Sequence, residues 1–180
     1  MLLRTILTLL RARRRPPLDI HDVGRMTMRV LPNDLDVQRH INNGVYLSLM
    51  DLGRLDLLVR TGGWKRMRDF GCYPVIASET ITFRKSLQLW QRYTLETRIA
   101  GYDEKAVYIE QRFVVNGEIY AQAHLRGRFL KNAGGVVSVT ELAKVLEIAM
   151  DALVLPGWVD RWARDVALPS TRADAPSVWD

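Results

Sequence analysis

Two aspartates, a histidine and two asparagines stand close together in residues 33–46, NDLDVQRHINNGVY, immediately before a long apolar run. The carboxylate of Asp36 is of the kind that attacks a carbonyl carbon or takes a proton from a water molecule. His40 is a group that orients a substrate or transfers a proton near neutral pH. These residue types at this spacing indicate acyl transfer or hydrolysis, and the alternative is a turn that only starts a helix.

The helix predicted after these residues would present its first N–H groups to them. Apolar residues recur at helical spacing from Gly44 to Arg60, and Asn42 or Asn43 suits the N-cap. The unpaired N–H groups at a helix start carry partial positive charge, which favours an oxyanion formed during acyl transfer. Under the alternative, the asparagines only cap the helix and the aspartates only favour its dipole. We expect no metal, because no further His or Cys lies near the acids and His40.

The remaining pattern predicts an antiparallel sheet around this helix. Alternation and β-branched residues predict strands at 25–31, 74–84, 91–100, 106–115 and 118–130. Asn116-Gly117 is a strong hairpin signal, so the last three strands should form a meander. Ser138 and Glu141 form a capping box before the helical run LAKVLEIAMDAL, and WVDRWARD adds a further helical stretch after Pro156-Gly157. The sequence therefore predicts one α+β domain with a long buried helix against the sheet.

Composition divides the chain into four parts: a basic amphipathic leader (1–17), the α+β domain (18–135), a C-terminal helical extension (136–167) and a flexible tail (168–180). The leader forms an apolar helical face that ends in four arginines. Such a segment can lie on an anionic membrane surface through residues 1–15. The alternatives are that it packs against the domain or that the start codon is placed too far upstream.

The charge and cysteine content restrict the partners. The 180-residue chain has a formal net charge of +6 and a pI near 9.8, so an acidic partner is favoured. Nucleic acid is not expected, because no zinc finger, aromatic RNA-binding signature or basic zipper is present. Cys72 alone makes no internal disulfide, which fits a reducing compartment or indifference to redox state. We expect a cytoplasmic protein, with a peripheral position at the inner membrane surface as the alternative.

Residues 34–46, DLDVQRHINNGVY, resemble the D-x-D-x-x-x-H-[VI]-N-N-x-x-Y signature of hotdog-fold thioesterases. The resemblance is to the 4-hydroxybenzoyl-CoA thioesterase-like branch, above all to its thioesterase superfamily member six type, and covers residues 25–131. It implies a hotdog fold, in which an antiparallel sheet wraps a long central helix, here with helical extensions at both ends. It also implies a homodimer, with a tetramer as the alternative, and sites at the subunit boundary.

The activity implied by the resemblance is metal-independent hydrolysis of an acyl-CoA or acyl-carrier-protein thioester to a carboxylic acid and a thiol. Coenzyme A enters only as part of the substrate, and no other cofactor is implied. The alternatives are a hotdog protein that binds acyl thioesters without hydrolysing them, and a membrane-surface protein whose basic leader is the functional part.

The resemblance also assigns roles to individual residues. Asp36 is the implied catalytic residue, and His40 and Gln38 position substrate or water. The backbone N–H groups of Asn42, Asn43 and Gly44 form the implied oxyanion hole. Tyr46 and Trp64 belong to the implied substrate pocket, and Arg84 and Lys85 contact the phosphates of coenzyme A.

Three positions depart from the pattern of the family. Gln38 stands where plant acyl-carrier-protein thioesterases have a catalytic asparagine. Leu52 stands where many bacterial relatives carry a carboxylate, and Asp51 is the nearest acid. Arg39 precedes the histidine, where glycine is frequent.

Overall fold

A computed structural model describes residues 1–148, 155–170 and 172–178 of the chain. The strands are β1 (Gly24–Arg29), β2 (Cys72–Phe83), β3 (Arg92–Tyr102), β4 (Val107–Val115), β5 (Glu118–Lys131) and β6 (Val136–Val137). The helices are α1 (Leu2–Ala12), α2 (Asn43–Arg60), α3 (Gly63–Phe70), α4 (Val139–Leu146) and α5 (Gly157–Asp165), and a 3-10 turn covers Pro32–Asp34.

The strands form one antiparallel sheet in the order β1-β3-β4-β5-β2, with β6 paired to the end of β5. The predicted β3-β4-β5 meander is confirmed. Its second turn is made by Asn116 and Gly117, whose φ angles of 50° and 82° are those of a tight hairpin that matches the strand twist. On the described part of the chain β2 pairs with β5 alone, so one long edge of the sheet is free.

Helix α2 lies against the concave face of the sheet and begins one residue before the predicted start. The side chain of Asn42 accepts a hydrogen bond from the Gly44 N–H at 2.9 Å, which caps the helix as expected. Gly53 explains how closely α2 approaches the sheet: a Cβ at this position would lie 2.6 Å from Thr97 Oγ1 and 2.9 Å from Leu95 Cδ2. Glycine is thus retained inside the helix because no side chain fits there.

Helix α1 packs on α2 through its polar and small side chains rather than its apolar ones. Thr8 and Ala12 are buried, and Arg4 on the same side reaches the buried carboxylate of Asp34. The five large apolar side chains that form the opposite face are exposed: Leu2, Leu3, Ile6, Leu7 and Leu10. The leader is therefore a packed part of the domain, and its apolar face points to solvent.

The C-terminal extension covers both sides of the sheet. Helix α4 begins at the predicted cap, where Ser138 accepts from the Glu141 N–H at 3.1 Å. The predicted continuation beyond Leu146 is wrong at Glu147, which adopts a left-handed conformation with φ of 57° and ends the helix. Residues 149–153 of that predicted run lie outside the described residues. Helix α5 packs on the convex face, where Val159 joins a buried cluster.

The last described residues lie in the segment predicted to be a flexible tail, and its flexibility stays a prediction. Residues 168–170 and 172–178 form no helix or strand and are exposed. Residues 171, 179 and 180 of the predicted tail lie outside the described residues.

Candidate active site

The candidate site is a short loop that precedes α2 and is tied back on itself. The Asp36 N–H donates to the His40 carbonyl at 2.9 Å, and Leu35 pairs with Ile41 in an isolated antiparallel bridge. A second bridge joins His40 to Gln88 in the connection between β2 and β3. These contacts hold the polar side chains of the loop in one place beside the start of the helix.

Asp34 is a structural residue within this loop. Its side chain is 2% exposed, and both carboxylate oxygens accept from the guanidinium of Arg4, at 2.7 and 2.8 Å. Oδ2 also accepts from the Leu31 N–H at 2.8 Å. Because both oxygens are occupied and buried, this carboxylate stabilises the loop and takes no part in chemistry. Its charge contributes to the raised pKa of Tyr93, after burial as the main cause.

Asp36 is half-buried, and hydrogen bonds from the described residues reach only one of its oxygens. Oδ1 accepts from the backbone N–H of Gln38 at 2.8 Å and of His40 at 3.3 Å. This turn around the carboxylate fixes its orientation. Oδ2 has no protein donor on the described part of the chain, so it is the oxygen left to meet a water molecule or an acyl carbon.

Gln38 and His40 contact this carboxylate through their backbone N–H groups, and their side chains make no hydrogen bond to the described residues. Gln38 is exposed and His40 is half-buried. Between them Arg39 has a φ of 63°, in the left-handed region that favours glycine. The position where the family often has glycine thus keeps the glycine-like backbone, and the loop retains its shape despite the arginine.

The predicted oxyanion hole requires a correction. The Asn42 N–H donates to the carbonyl of Asp34 at 2.9 Å, and the Gly44 N–H donates to Asn42 Oδ1 at 2.9 Å. Two of the three proposed donors are therefore already engaged, because the loop and the helix cap use them. On the described residues only the Asn43 N–H remains without an acceptor, at the positive end of α2 and exposed to solvent.

Tyr46 and Trp64 do not form one pocket. Tyr46 is 2% exposed and packs edge-on against Phe83 and Phe113, with ring centroids 5.0 and 4.8 Å away. Burial raises the pKa of its phenol, against the smaller effect of a hydrogen bond from the backbone of Leu87. Tyr46 thus packs below the loop, whereas Trp64 lies on α3 and is 42% exposed.

Arg84 and Lys85, the predicted phosphate contacts, follow the end of β2 and share one acidic partner. Each donates to Glu118 at 2.7 Å, one to each carboxylate oxygen. All three side chains are largely exposed, and two positive charges against one negative charge leave the cluster positive.

A polar chain that the sequence did not reveal runs from the sheet to the surface of α2. Gln111 is fully buried and donates to Thr97 Oγ1 at 2.9 Å and to the Met50 carbonyl at 3.0 Å. Its carbonyl oxygen accepts from Arg54 at 2.8 Å, and Arg54 also pairs with the exposed Asp51. The sequence feature that could have predicted this polar chain is a glutamine at an inward-facing position of a strand whose other inward-facing residues are apolar. Leu52, by contrast, is buried and supplies nothing to the site.

The remaining strong charge cluster lies on the convex face and is satisfied internally. Glu110 is 4% exposed and accepts from Arg98 at 2.8 Å and from Arg112 at 2.7 Å. Burial alone would raise the pKa of Glu110, but these hydrogen bonds outweigh it and lower the pKa. Burial lowers the pKa of the neighbouring His124. Within the described ranges no group of three His, Cys, Asp or Glu side chains is arranged to hold a metal ion.

Comparison with known proteins identifies the family. The family model described as "Thioesterase-like superfamily" matches residues 30–163, which include the loop, strands β2 to β6 and most of α5. The chain belongs to this superfamily. It is similar to Protein THEM6 of Xenopus laevis, with 37% identity over 127 residues, and to a probable thioesterase of Saccharomyces cerevisiae, with 29% identity over 104 residues.

The matched regions are 70% and 56% of this chain but only 61% and 45% of those two proteins, so the chain spans about half to three-fifths of their length. Among solved structures, the probable thioesterase YbaW of Escherichia coli superposes with a TM-score of 0.65 and 21% identity, over 69% of this chain and 96% of the other. The fold is therefore the hotdog fold that the resemblance implied.

Proposed function

We propose that the protein hydrolyses acyl-CoA or acyl-carrier-protein thioesters, with Asp36 as the catalytic carboxylate. The observation that carries this proposal is that, among the described residues, Oδ2 of Asp36 accepts no hydrogen bond and the N–H of Asn43, at the start of α2 after the same loop, donates none. A hydrolase of this kind needs a base or nucleophile and a donor for the oxyanion, and the loop provides one of each. Family membership supports the reaction class.

In the proposed reaction Asp36 takes a proton from a water molecule while the oxygen of that water bonds to the thioester carbonyl carbon. The carbonyl oxygen becomes an oxyanion and accepts a hydrogen bond from the Asn43 N–H. The oxyanion then re-forms the carbonyl as the C–S bond breaks, the leaving thiolate takes up the proton held by Asp36, and the carboxylic acid leaves with Asp36 again a carboxylate. Gln38 and His40, whose side chains make no hydrogen bond to the described residues, position the water and the substrate. The step requires no metal and no cofactor besides the coenzyme A of the substrate.

The proposed assembly is a homodimer formed through β2. An unpaired strand edge readily pairs with another chain, and β2 is twelve residues long with exposed apolar side chains such as Tyr73 and Ile76. A tetramer is the alternative assembly. A monomer at assay concentration in analytical ultracentrifugation would contradict both.

Arg84 and Lys85 are proposed to meet the phosphates of coenzyme A. The excess positive charge of their cluster with Glu118 and its exposure support this role. Reversing both charges should weaken inhibition by free coenzyme A and leave inhibition by a short pantetheine thiol unchanged. Equal loss of both would contradict the contact.

A second candidate function rests on α1. Its exposed leucines lie next to Arg11, Arg13 and Arg14. This combination suits a cytoplasmic protein that binds peripherally to the anionic lipid surface of the inner membrane. None of the helices in the described residues is long and apolar enough to cross a membrane. Co-sedimentation with anionic vesicles tests the contact by comparing wild type with Leu3→Gln/Leu7→Gln. Equal partitioning of the two proteins would exclude it.

The deciding experiment measures thiol release from a panel of acyl-CoA thioesters. Asp36→Asn retains the oxygen that accepts from Gln38 and His40, so the loop should keep its structure while the base is lost. We expect the hydrolysis rate to fall by about 10²–10⁴-fold, the usual contribution of a positioned general base. Asp69→Asn, an exposed carboxylate on α3 outside the loop and the cavity, is the matched control and should retain activity. Asp51→Asn, on α2, is measured beside it as the rival catalytic carboxylate.

The outcomes separate the candidate functions. Wild-type activity in Asp36→Asn, together with loss in Asp51→Asn, would move the catalytic role to α2. Binding of acyl thioesters by the wild type with no thiol release from any acyl-CoA or acyl-carrier-protein substrate would favour the alternative of a non-hydrolytic acyl-thioester-binding protein.

A further inference from the structure

A large apolar cavity lies at the opposite end of α2 from the candidate site. Its volume is about 310 Å³, and its walls come from the C-terminal half of α2, from α3, from the sheet and from α4. Leu55 and Leu58 line it from α2, Val75 lines it from β2, and Leu142 and Ala143 line it from α4. A cavity of this size falls in the range of small-molecule sites.

Few polar residues line the cavity, and they differ in their exposure to solvent. Asp51 on α2 and His21 are exposed, whereas Arg54 on α2 is largely buried and donates to Gln111. The hydroxyl of Tyr102 is buried, and it has no hydrogen-bond partner among the described residues. The cavity thus offers a charged rim and an apolar interior, a distribution that suits a molecule with a polar end and a hydrocarbon body.

Helix α4 closes the cavity and is held there by specific contacts. Lys131 at the end of β5 pairs with Glu141 of α4 at 2.9 Å. Arg66 of α3 donates to the Leu146 carbonyl at 3.2 Å and pairs with Glu147 at 2.9 Å. Because these bonds fix α4 at both ends, the closed end of the cavity has a defined position and sets a limit to what fits.

One stripe of α2 connects the candidate site with the cavity. Gly44, Ser48, Asp51, Leu55 and Leu58 follow one another at intervals of four, three, four and three residues, so they lie on one side of the helix. The last three of them line the cavity. Gly44 and Asp51 are seven residues apart, which corresponds to about 10 Å along the helix axis.

We propose that this cavity binds the straight hydrocarbon chain of the acyl group. The inference rests on the proposed function and adds a substrate class to it. A thioester carbonyl at the start of α2 lies about 10 Å from the rim, so only an extended chain reaches the cavity. Short acyl groups and compact aromatic acyl groups end before it. The preferred substrates are therefore thioesters of straight-chain, medium or long fatty acids.

Binding of free fatty acids tests the cavity without relying on hydrolysis. Saturated straight-chain fatty acids of increasing length are titrated into the full chain by calorimetry. The affinity should rise about fourfold for each methylene that becomes buried, up to the length at which α4 stops the chain. Hydrolysis measured on the matching acyl-CoA series should show the same length dependence in kcat/KM.

Two variants narrow the cavity from different walls. Ala143→Phe places a large side chain inside it from α4, and Val75→Phe does so from the half-buried wall on β2. Each should weaken binding of the longest chains at least tenfold and leave hydrolysis of short acyl-CoA unchanged. Lys144→Phe, on the exposed side of α4, is the matched control and should retain the wild-type length profile. Two independent walls keep the test decisive if one variant does not fold.

The two proposals fail in different ways. Length-dependent fatty-acid binding that both cavity variants weaken, without hydrolysis of any thioester, would support the cavity and overturn the proposed function. Hydrolysis that depends on Asp36, together with an affinity for fatty acids that is flat with length or unchanged in both variants, would overturn the cavity and support the proposed function.

Discussion

The two ends of α2 differ in how they are built. The N-terminal end meets a polar, partly exposed loop whose residues are close in sequence and hold one another by hydrogen bonds. The C-terminal end meets an apolar cavity whose walls come from α3, β2, the sheet and α4, separated by up to about ninety residues along the chain. One helix thus joins a local polar site to a non-local apolar one.

This difference separates two tasks that an acyl-thioester hydrolase must perform. The reacting carbonyl needs fixed charges and N–H donors, which only a well-oriented polar segment supplies. The hydrocarbon chain needs a dry surface, and its binding scales with the apolar area buried. Under our proposals, α2 holds the two regions at a fixed separation. That separation sets the length that an acyl chain must have to reach the cavity.

The largest expected effect concerns the support of the polar end by α1. Arg4→Met leaves the carboxylate of Asp34, 2% exposed, without its partner. Removing one member of a buried ion pair typically costs about 3–5 kcal/mol, because an uncompensated charge remains inside. We expect the free energy of unfolding, measured with urea, to fall by about this amount.

Two further variants identify the cause of this loss. Arg11→Met changes an exposed arginine on the same helix and should leave the unfolding midpoint near that of the wild type. Adding Asp34→Asn to Arg4→Met removes the buried charge, keeps an acceptor for the Leu31 N–H, and should recover part of the loss. Equal midpoints for Arg4→Met and Arg11→Met would show that the loop does not depend on α1.

Local sequence signals predicted the polar end of α2 better than the apolar end. The Asn42 cap, the helix to Arg60 and the Asn116-Gly117 hairpin each depend on residues close in the chain, and the structure contains all three. The spacing of the loop residues likewise directed attention to Asp36. The meander of β3, β4 and β5 followed from the alternating strands, and the hotdog fold followed from the resemblance.

What the sequence missed depends on contacts between distant residues. Helix periodicity predicted the apolar face of α1 but not whether that face packs on the domain or faces solvent. The orientation of α1 depends on the ion pair of Arg4 with Asp34, which is thirty residues away in the chain. A substrate pocket was predicted at Trp64, which does line the cavity, but the wall formed by α4 was not predicted, since α4 and α2 are distant in sequence. The oxyanion donors were overcounted because the bond from the Asn42 N–H to the Asp34 carbonyl is a property of the folded loop.

An intermediate effect is expected at the point where α2 approaches the sheet most closely. In Gly53→Ala the added Cβ would lie 2.6 Å from Thr97 Oγ1 and 2.8 Å from Gln111 Nε2. Overpacking of this kind costs about 1–3 kcal/mol, which the better helix propensity of alanine only partly offsets. Thermal unfolding should show a lower midpoint for Gly53→Ala.

Gly63→Ala is the matched control for this substitution. A Cβ at Gly63, which begins α3, would meet its nearest atoms at 3.4 Å or beyond, an ordinary contact distance. Its unfolding midpoint should equal or exceed that of the wild type. A Gly53→Ala protein as stable as Gly63→Ala would mean that α2 shifts away from the sheet without cost. The distance between α2 and the sheet would then not be fixed by the packing at Gly53.

The smallest expected effect separates stability from chemistry at the polar end. Asn42→Ala removes the cap on the Gly44 N–H, and loss of an N-cap side chain typically costs about 1 kcal/mol. The backbone N–H of Asn43, the proposed oxyanion donor, is unchanged. Urea unfolding should therefore show the loss, whereas kcat/KM for thioester hydrolysis should stay close to that of the wild type.

Asn42→Ser supplies the comparison, because serine caps a helix about as well as asparagine and should restore the stability. The two variants then differ in the cap alone, with the Gly44 N–H occupied in one and free in the other. If hydrolysis rises in Asn42→Ala and returns to the wild-type rate in Asn42→Ser, the freed Gly44 N–H has joined the oxyanion site. If hydrolysis collapses in Asn42→Ala and recovers in Asn42→Ser, the cap itself orients the Asn43 N–H, and stability and catalysis at this end of α2 are one property.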